Sequence, residues 1–252
     1  MCGIVGAVSS RNIVPILVQG LQRLEYRGYD SAGVAFIKDG QLQRVRSAGR
    51  VAELAALVDG TESTSGIAHT RWATHGVPCE RNAHPHISGG LAVVHNGIIE
   101  NFAELRKELQ DDGYVFSSQT DTEVVAHLVA RELKRNKSPV EAAHNSLKRL
   151  HGAFALAMLF EQDPNLIVGA RNGPPLAIGH GDGEMYLGSD AIALAPFTNT
   201  ITYLEDGDWV TLRRGGAEIF DLSGNPVERK TVKSTGSAFL VEKGNHRHFM
   251  EK

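Results

Sequence analysis

The chain has 252 residues, 42% hydrophobic and 22% charged, with 26 basic against 29 acidic side chains and a formal net charge of -3. That is globular composition, long enough for one large domain or two small ones, without the basic excess that draws a protein to a nucleic-acid backbone or an anionic membrane. No apolar run approaches the ~20 residues of a membrane span, and no basic region followed by an apolar core and cleavage site opens the chain. Cys2 and Cys79 form neither a disulfide framework nor a metal-type spacing, so a reducing, cytoplasmic setting is expected, with no nucleic acid and no membrane as partners.

In chain order, residues 4–8 read as a short buried strand. Residues 12–24 carry apolar side chains at Ile13, Val14, Leu17, Val18, Leu21 and Leu24, a helical period, with Pro15 tolerable in the first turn. Residues 31–37 and 41–45 predict strands joined at Lys38-Asp39-Gly40, a hairpin signal. Residues 51–58 predict a short helix and 65–69 a strand. A loop follows, running through Ala83, with Gly76, Pro78 and the nearby Pro85 arguing against regular structure.

Residues 91–95 predict a short apolar strand stopped by Asn96-Gly97, and 102–110 a helix. Thr120-Asp121-Thr122-Glu123 is a capping-box pattern ahead of an apolar stripe at Val124, Val125, Leu128 and Val129. Ser138-Pro139-Val140-Glu141 repeats the signal with proline at the first helical position. Residues 153–160 predict a strand at the centre of a sheet. Beyond them lie short strands at 166–170, 176–179, 185–189, 201–204, 209–212 and 218–220, without a βαβ rhythm. Antiparallel sheets with helices packed outside them are expected, in one domain of two stacked sheets. Residues 230–244 are polar and weakly patterned, like a linker.

Four segments carry chemistry. Removal of Met1 would leave Cys2 with a thiol and a free α-amine on one residue. An unperturbed α-amine has a pKa of about 7.8, so a nucleophile and a candidate base would travel together. Cys2 alone also reads as a small apolar residue opening a buried strand. In residues 69–76, Arg71 offers a planar fork for a carboxylate, Trp72 a cover over a small substrate, and Thr74 and His75 hydrogen-bonding groups. An internal ion pair for Arg71 and a core position for Trp72 are the alternatives. In residues 95–101, the Asn96 side-chain amide beside the Gly97 N–H could aim two donors at one oxygen, as a developing tetrahedral oxyanion requires. Asp121, in the first turn of a capped helix, is favoured by the helix dipole and could equally hold a substrate ammonium. Arg71 and Asp121 together would grip both charged ends of an α-amino acid. His84 and His86 flank Pro85, but no carboxylate or cysteine completes a metal set, so no metal and no cofactor is expected.

These segments resemble the class II glutamine amidotransferases, and within them the glutaminase domains of the glucosamine-6-phosphate synthases, the isomerizing glutamine:fructose-6-phosphate aminotransferases. The resemblance rests on residues 2–6, 26–33, 70–76, 82–86, 95–101 and 120–123; the second and third of these point to this family more narrowly than the cysteine start does. It implies an α+β fold, a four-layer αββα sandwich of two antiparallel sheets of the N-terminal-nucleophile hydrolase type. It implies that Cys2 attacks the glutamine side-chain amide with its own α-amine as base, and that Asn96 and the Gly97 N–H form the oxyanion hole. Arg71 would bind the α-carboxylate and Asp121 the α-amino group of L-glutamine. Trp72, Thr74 and His75 would cover the substrate, Arg27 would organise the surroundings of the nucleophile, and His84 would support the site. The products would be L-glutamate and ammonia. Residues 2–240 would be the glutaminase domain. Residues 241–252 would begin the connection to sugar-isomerase domains, through which ammonia reaches fructose 6-phosphate. The glutaminase part of another class II amidotransferase, or an amino-acid-binding domain without turnover, are the competing readings.

Overall fold

The computed structural model describes residues 2–135 and 137–233. In chain order its elements are β1 (Gly3–Val8), α1 (Val14–Leu24), β2 (Ser31–Lys38), β3 (Gln41–Ser47), α2 (Val51–Leu57), β4 (Ser65–Arg71), β5 (His86–Ser88), β6 (Leu91–Ile99), α3 (Phe102–Asp111), α4 (Thr122–Lys134) and α5 (Pro139–Leu147). They continue with β7 (Gly152–Phe160), β8 (Asp163–Asn172), β9 (Ala177–His180), β10 (Met185–Gly188), α6 (Ala191–Leu194), β11 (Thr200–Tyr203), β12 (Trp209–Arg213), β13 (Gly216–Phe220) and β14 (Thr231–Lys233). Among the described residues no helix is long and apolar enough to cross a membrane.

The strands form two sheets, ordered β14-β11-β9-β10-β1-β4-β2-β3 and β13-β12-β8-β7-β6-β5, with every pairing antiparallel. Alternation along the strands sorts side chains into layers. Ile4, Ile67, Val94, Ala155 and Ala157 pack between the sheets. Val5, Ala7 and Ala68 face Leu17 and Leu21 of α1. Val93, Leu156 and Met158 face Val125, Leu128 and Val129 of α4. The result is the expected αββα sandwich, and it explains why the central strands read as continuous apolar runs: both of their faces are covered.

The expected hairpin forms with a shorter turn: Lys38 belongs to β2 and pairs with Gln41, and Asp39 and Gly40 between them both have positive φ. Ser138 caps α5 in a full capping box with Glu141.

Three expectations are corrected. The strand that should stop at His95 runs on to Ile99, with Asn96 opposite Ala155 and Gly97 opposite Phe154. Asn96-Gly97 is therefore strand, not turn. Gly97 is required because at φ +122° a β-carbon would sit 2.0 Å from the Ala153 carbonyl oxygen. The capping box at residues 120–123 does not form. Asp121 is the N-cap without a side-chain cap bond. Thr120 Oγ1 pairs instead with His86 Nε2 at 2.9 Å, and Glu123 accepts from Ser117 and Ser118. Finally, Thr231–Lys233, within the expected linker, pairs with β11. The proposed boundary at residues 240 and 241 lies outside the described residues.

One glycine ties the fold to the cleft. A β-carbon on Gly33 of β2 would lie 2.1 Å from the His84 carbonyl oxygen, so the loop carrying His84 rests directly on the sheet. Gly33→Ala should force strand and loop apart and cost roughly 1–3 kcal/mol, as overpacking does. Urea unfolding checks this, and an unchanged midpoint would show that the loop yields freely.

Candidate active site

The cleft opens where β1, β4 and β6 end together. It offers about 240 Å³ of space, part of it open to solvent, and is lined by Cys2, Arg71, Trp72, Thr74, His75, His84, His95, Gly97, Thr120, Asp121 and Thr122. Pairing of Gly3 with Thr70 sets Cys2 beside the chain leaving β4. There the Trp72 N–H donates to Cys2 Sγ at 3.2 Å, and Sγ lies 3.5 Å from the Trp72 carbonyl oxygen. Burial pushes the thiol pKa above its ordinary value, against the opposing pull of the Trp72 N–H and Arg71. Among the described residues no side-chain base hydrogen-bonds to the sulfur, so activation of the thiol needs a proton acceptor from elsewhere.

Arg71 is buried. Its Nη2 donates to the carbonyls of His75 and Gly76, the latter at 3.1 Å. Nη1 makes no hydrogen bond, and the nearest carboxylate oxygen, Asp30 Oδ1, is 3.7 Å away. The internal ion pair is thus incomplete, and a buried guanidinium donor is left open. Trp72 is 54% exposed, which rules out a core position. Its ring lies over Gly28, where a β-carbon would meet it at 2.7 Å. Thr74 is exposed, and His75 packs edge-on against Phe102 with centroids 5.2 Å apart.

Asp121 is equally buried. Its Oδ2 accepts the Ile99 N–H at 2.8 Å, and its Oδ1 lies 3.5 Å from Thr122 Oγ1. The ring nearest to it is His95, with Nδ1 at 3.9 Å from Oδ2. Burial holds the His95 pKa down, so that ring is neutral and the carboxylate has no cationic partner in contact among the described residues. A buried carboxylate with only an N–H and a hydroxyl beside it is costly to leave without a countercharge. Asn96 donates from Nδ2 to the Cys2 carbonyl at 3.3 Å, and its Oδ1 lies 3.0 Å from His69 Nε2.

Not every expected residue reaches the cleft. Arg27 is engaged by Asp190 and, at 3.0 Å, by the Tyr26 hydroxyl, and it is not among the lining residues. His84 does line the cleft and accepts the His95 N–H at 3.4 Å. Among the residues of the neighbourhood that were not singled out from the sequence are His69, Asp30 and Asn82. Asp30 accepts the Ala73 N–H at the root of the covering loop. Asn82, fully buried, donates to the Val77 carbonyl and pairs with both the side chain and the N–H of Gln119. All three lie in or beside the segments already noticed, but nothing in their spacing announces a partner 27 to 43 residues away in sequence.

A sandwich of two antiparallel sheets between helical layers, with a cysteine entering the first central strand and such a cleft at its end, defines the class of glutamine amidotransferases of N-terminal-nucleophile hydrolase type. The chain belongs to this family: the glutamine amidotransferase domain model matches residues 69–196. Over its whole length the chain is 66% identical to a glutamine–fructose-6-phosphate aminotransferase (isomerizing) of Mesorhizobium japonicum and 60% identical to one of Brucella suis. It spans 42% of the length of each. Among solved structures, the glutamine phosphoribosylpyrophosphate amidotransferase of B. subtilis superposes with a TM-score of 0.77 at 27% identity, over 89% of this chain and 50% of that one. A class II glutamine aminotransferase domain protein of Silicibacter pomeroyi shares the fold, with a TM-score of 0.61 at 18% identity, over 88% of this chain and 99% of that one.

The cleft wall has a further electrostatic consequence. His69, His84, His86 and His95 are all buried, and burial lowers each pKa below 6.5, to about 3 for His69 and His86. Below about pH 6.5 the unfolded chain takes up protons that the fold refuses. Stability should be fully present above that pH and fall as pH drops toward 3, by up to about 1.4 kcal/mol per pH unit for each histidine. The urea midpoint at about pH 5 should lie well below that at about pH 7. An unmoved midpoint would mean that the rings ionise inside the fold.

Proposed function

We propose that this domain hydrolyses L-glutamine to L-glutamate and ammonia, with Cys2 as nucleophile once Met1 has been removed. In the longer polypeptide, that ammonia would aminate fructose 6-phosphate on sugar-isomerase domains, with residues 2–240 as the glutaminase domain and 241–252 as the start of the connection. A cytoplasmic setting suits the two free thiols. The observation that carries the reading is a pair of incompletely answered charges in one cleft: the Nη1 of Arg71, which has no hydrogen bond and Asp30 only at 3.7 Å, and the Asp121 carboxylate, with no cation in contact among the described residues. An α-amino acid answers both, and its side chain then extends toward Cys2.

The raised thiol pKa gives the free α-amine its task. It takes the thiol proton as Sγ attacks the amide carbon. The carbonyl oxygen becomes an oxyanion, received by Asn96 Nδ2 and the Gly97 N–H. Collapse breaks the carbon–nitrogen bond, and the protonated α-amine returns its proton to the departing ammonia. Water then cleaves the thioester, releasing glutamate and the thiol. Arg71 and Asp121 hold the α-carboxylate and α-ammonium. Trp72, Thr74 and His75 cover the cleft, while His84 and Arg27 support it from outside the reacting atoms.

Intact mass measured beside ammonia release tests the base. Protein retaining Met1 should be inactive, because its Cys2 nitrogen is an amide, and Cys2→Ala should be inactive with unchanged circular dichroism. Turnover by either would overturn the assignment. Arg71→Lys should lower kcat/KM about ten- to a hundredfold, the worth of a charge-assisted two-point grip. Asp121→Asn should do the same at the ammonium end. Asn96→Ala should lower kcat roughly 10²–10³-fold while glutamate binding is kept. A normal kcat with only a raised KM would move Asn96 out of the oxyanion hole.

A further inference from the structure

His69 is a buried side chain that reaches the proposed oxyanion donor from the side away from the cleft. It sits on β4 opposite Ile4 of β1 and Gly33 of β2, on the face turned toward the other sheet. Its ring packs on that of His84, with centroids 4.3 Å apart. Across the sandwich, its Nε2 lies 3.0 Å from Asn96 Oδ1. We infer that His69 is a positioning residue for amide hydrolysis: its Nε2–H holds the Asn96 amide oxygen away from the cleft and so keeps Nδ2 as a donor toward the reacting carbonyl. This inference rests on the glutaminase reading.

The argument is one of matched donors and acceptors. An asparagine amide can sit either way round, and its two ends differ only in hydrogen bonding. The Cys2 carbonyl oxygen, 3.3 Å from Nδ2, accepts one of the two Nδ2 hydrogens and leaves the second free. Were the amide reversed, Oδ1 would face that carbonyl, oxygen against oxygen, and a carbonyl-like substrate oxygen would meet an acceptor instead of a donor. A proton on His69 Nε2 secures the productive orientation from the other end of the amide, beside the Cys2 carbonyl. The ring is fully buried and neutral, so it carries a single proton. Nδ1 makes no well-aligned hydrogen bond, but the His95 main chain lies close enough to favour a proton on the ring and so competes with Asn96 for it. The Nε2–H tautomer gains a bond to Asn96, whereas the Nδ1–H tautomer would invite the reversed amide. The tautomer of a residue that never touches substrate thus decides whether the oxyanion hole has its side-chain donor.

The test uses the full chain with Met1 removed. His69→Phe keeps the ring packing and deletes the donor; kcat for glutamine should fall about 10–100-fold with KM little changed, somewhat less than for outright loss of a donor. His69→Gln returns an N–H near the Nε2 position and should restore most of kcat. In the Asn96→Ala background, His69→Phe should have no further effect, because there is no amide left to orient. A kcat unchanged by His69→Phe, or losses that multiply in the double variant, would overturn the inference. The tautomer is read independently of any variant's folding from ¹⁵N imidazole spectra of the native chain, the His69 signals assigned by their loss in His69→Gln. Nε2–H supports the inference and Nδ1–H overturns it. A native chain that releases no ammonia would defeat the glutaminase reading instead, while the tautomer would remain measurable.

Discussion

The cleft is assembled from two sheets, and one buried hydrogen bond, His69 Nε2 to Asn96 Oδ1, crosses between them at its base. Cys2 directly precedes β1 and Arg71 ends β4 of one sheet; Asn96 and Gly97 come from β6 of the other, with Asp121 at the start of the helix packed on it. The proposed joining of a nucleophile from one sheet to an oxyanion donor from the other would depend on their relative placement. The layer between them favours small or branched side chains. Ala35, Ala92, Ala155 and Ala157 let the sheets approach, and Ile4, Ile67 and Val94 fill what remains. A close-packed interior of this kind transmits small displacements rather than absorbing them.

Around that seam, polar groups are buried at a density that stability alone would not favour. Four neutral histidines, an open arginine nitrogen and a lone carboxylate share a small volume. Low local polarity strengthens the interactions of such groups, and it also makes them costly while unanswered. The fold bears the cost through rigid neighbours. Arg44 and Arg46 of β3 donate to the carbonyls of Pro85, Arg81 and Ala83. Asn82 is held by Gln119, and Glu123 by Ser117 and Ser118. The covering loop is therefore anchored firmly at its far end, while Trp72 and Thr74 at its near end stay exposed.

Elements whose signals are local were legible. Helical period located α1 and α4, Asp39-Gly40 marked a hairpin, and Ser138 marked a helix start. Local signals failed where a tertiary partner outbid the local one. Asn96-Gly97 looks like a stop, but β7 supplies a partner strand on which Gly97 can adopt a positive φ and press against Ala153. Thr120 and Glu123 have the spacing of a cap, but His86, Ser117 and Ser118 claim their side chains. Both exceptions fall at the cleft, where residues serve the site before the element.

The residue types of the chemistry were determined by sequence alone: a cysteine that processing could make terminal, an arginine fork, an amide beside a glycine, an acid at a helix start. Each is a short-range pattern, and the segments that hold them carry the family resemblance. Only the tertiary structure decided which of their groups are free. Arg71 keeps one nitrogen open because loop carbonyls take the other. Asp121 stays unpaired because burial keeps His95 neutral, and Arg27 is turned toward Asp190. His69 acquires a partner 27 residues away only because β4 and β6 face each other across the sandwich. Hydrogen bonding and desolvation depend on what surrounds an atom, and those surroundings come from chain segments that only folding brings together.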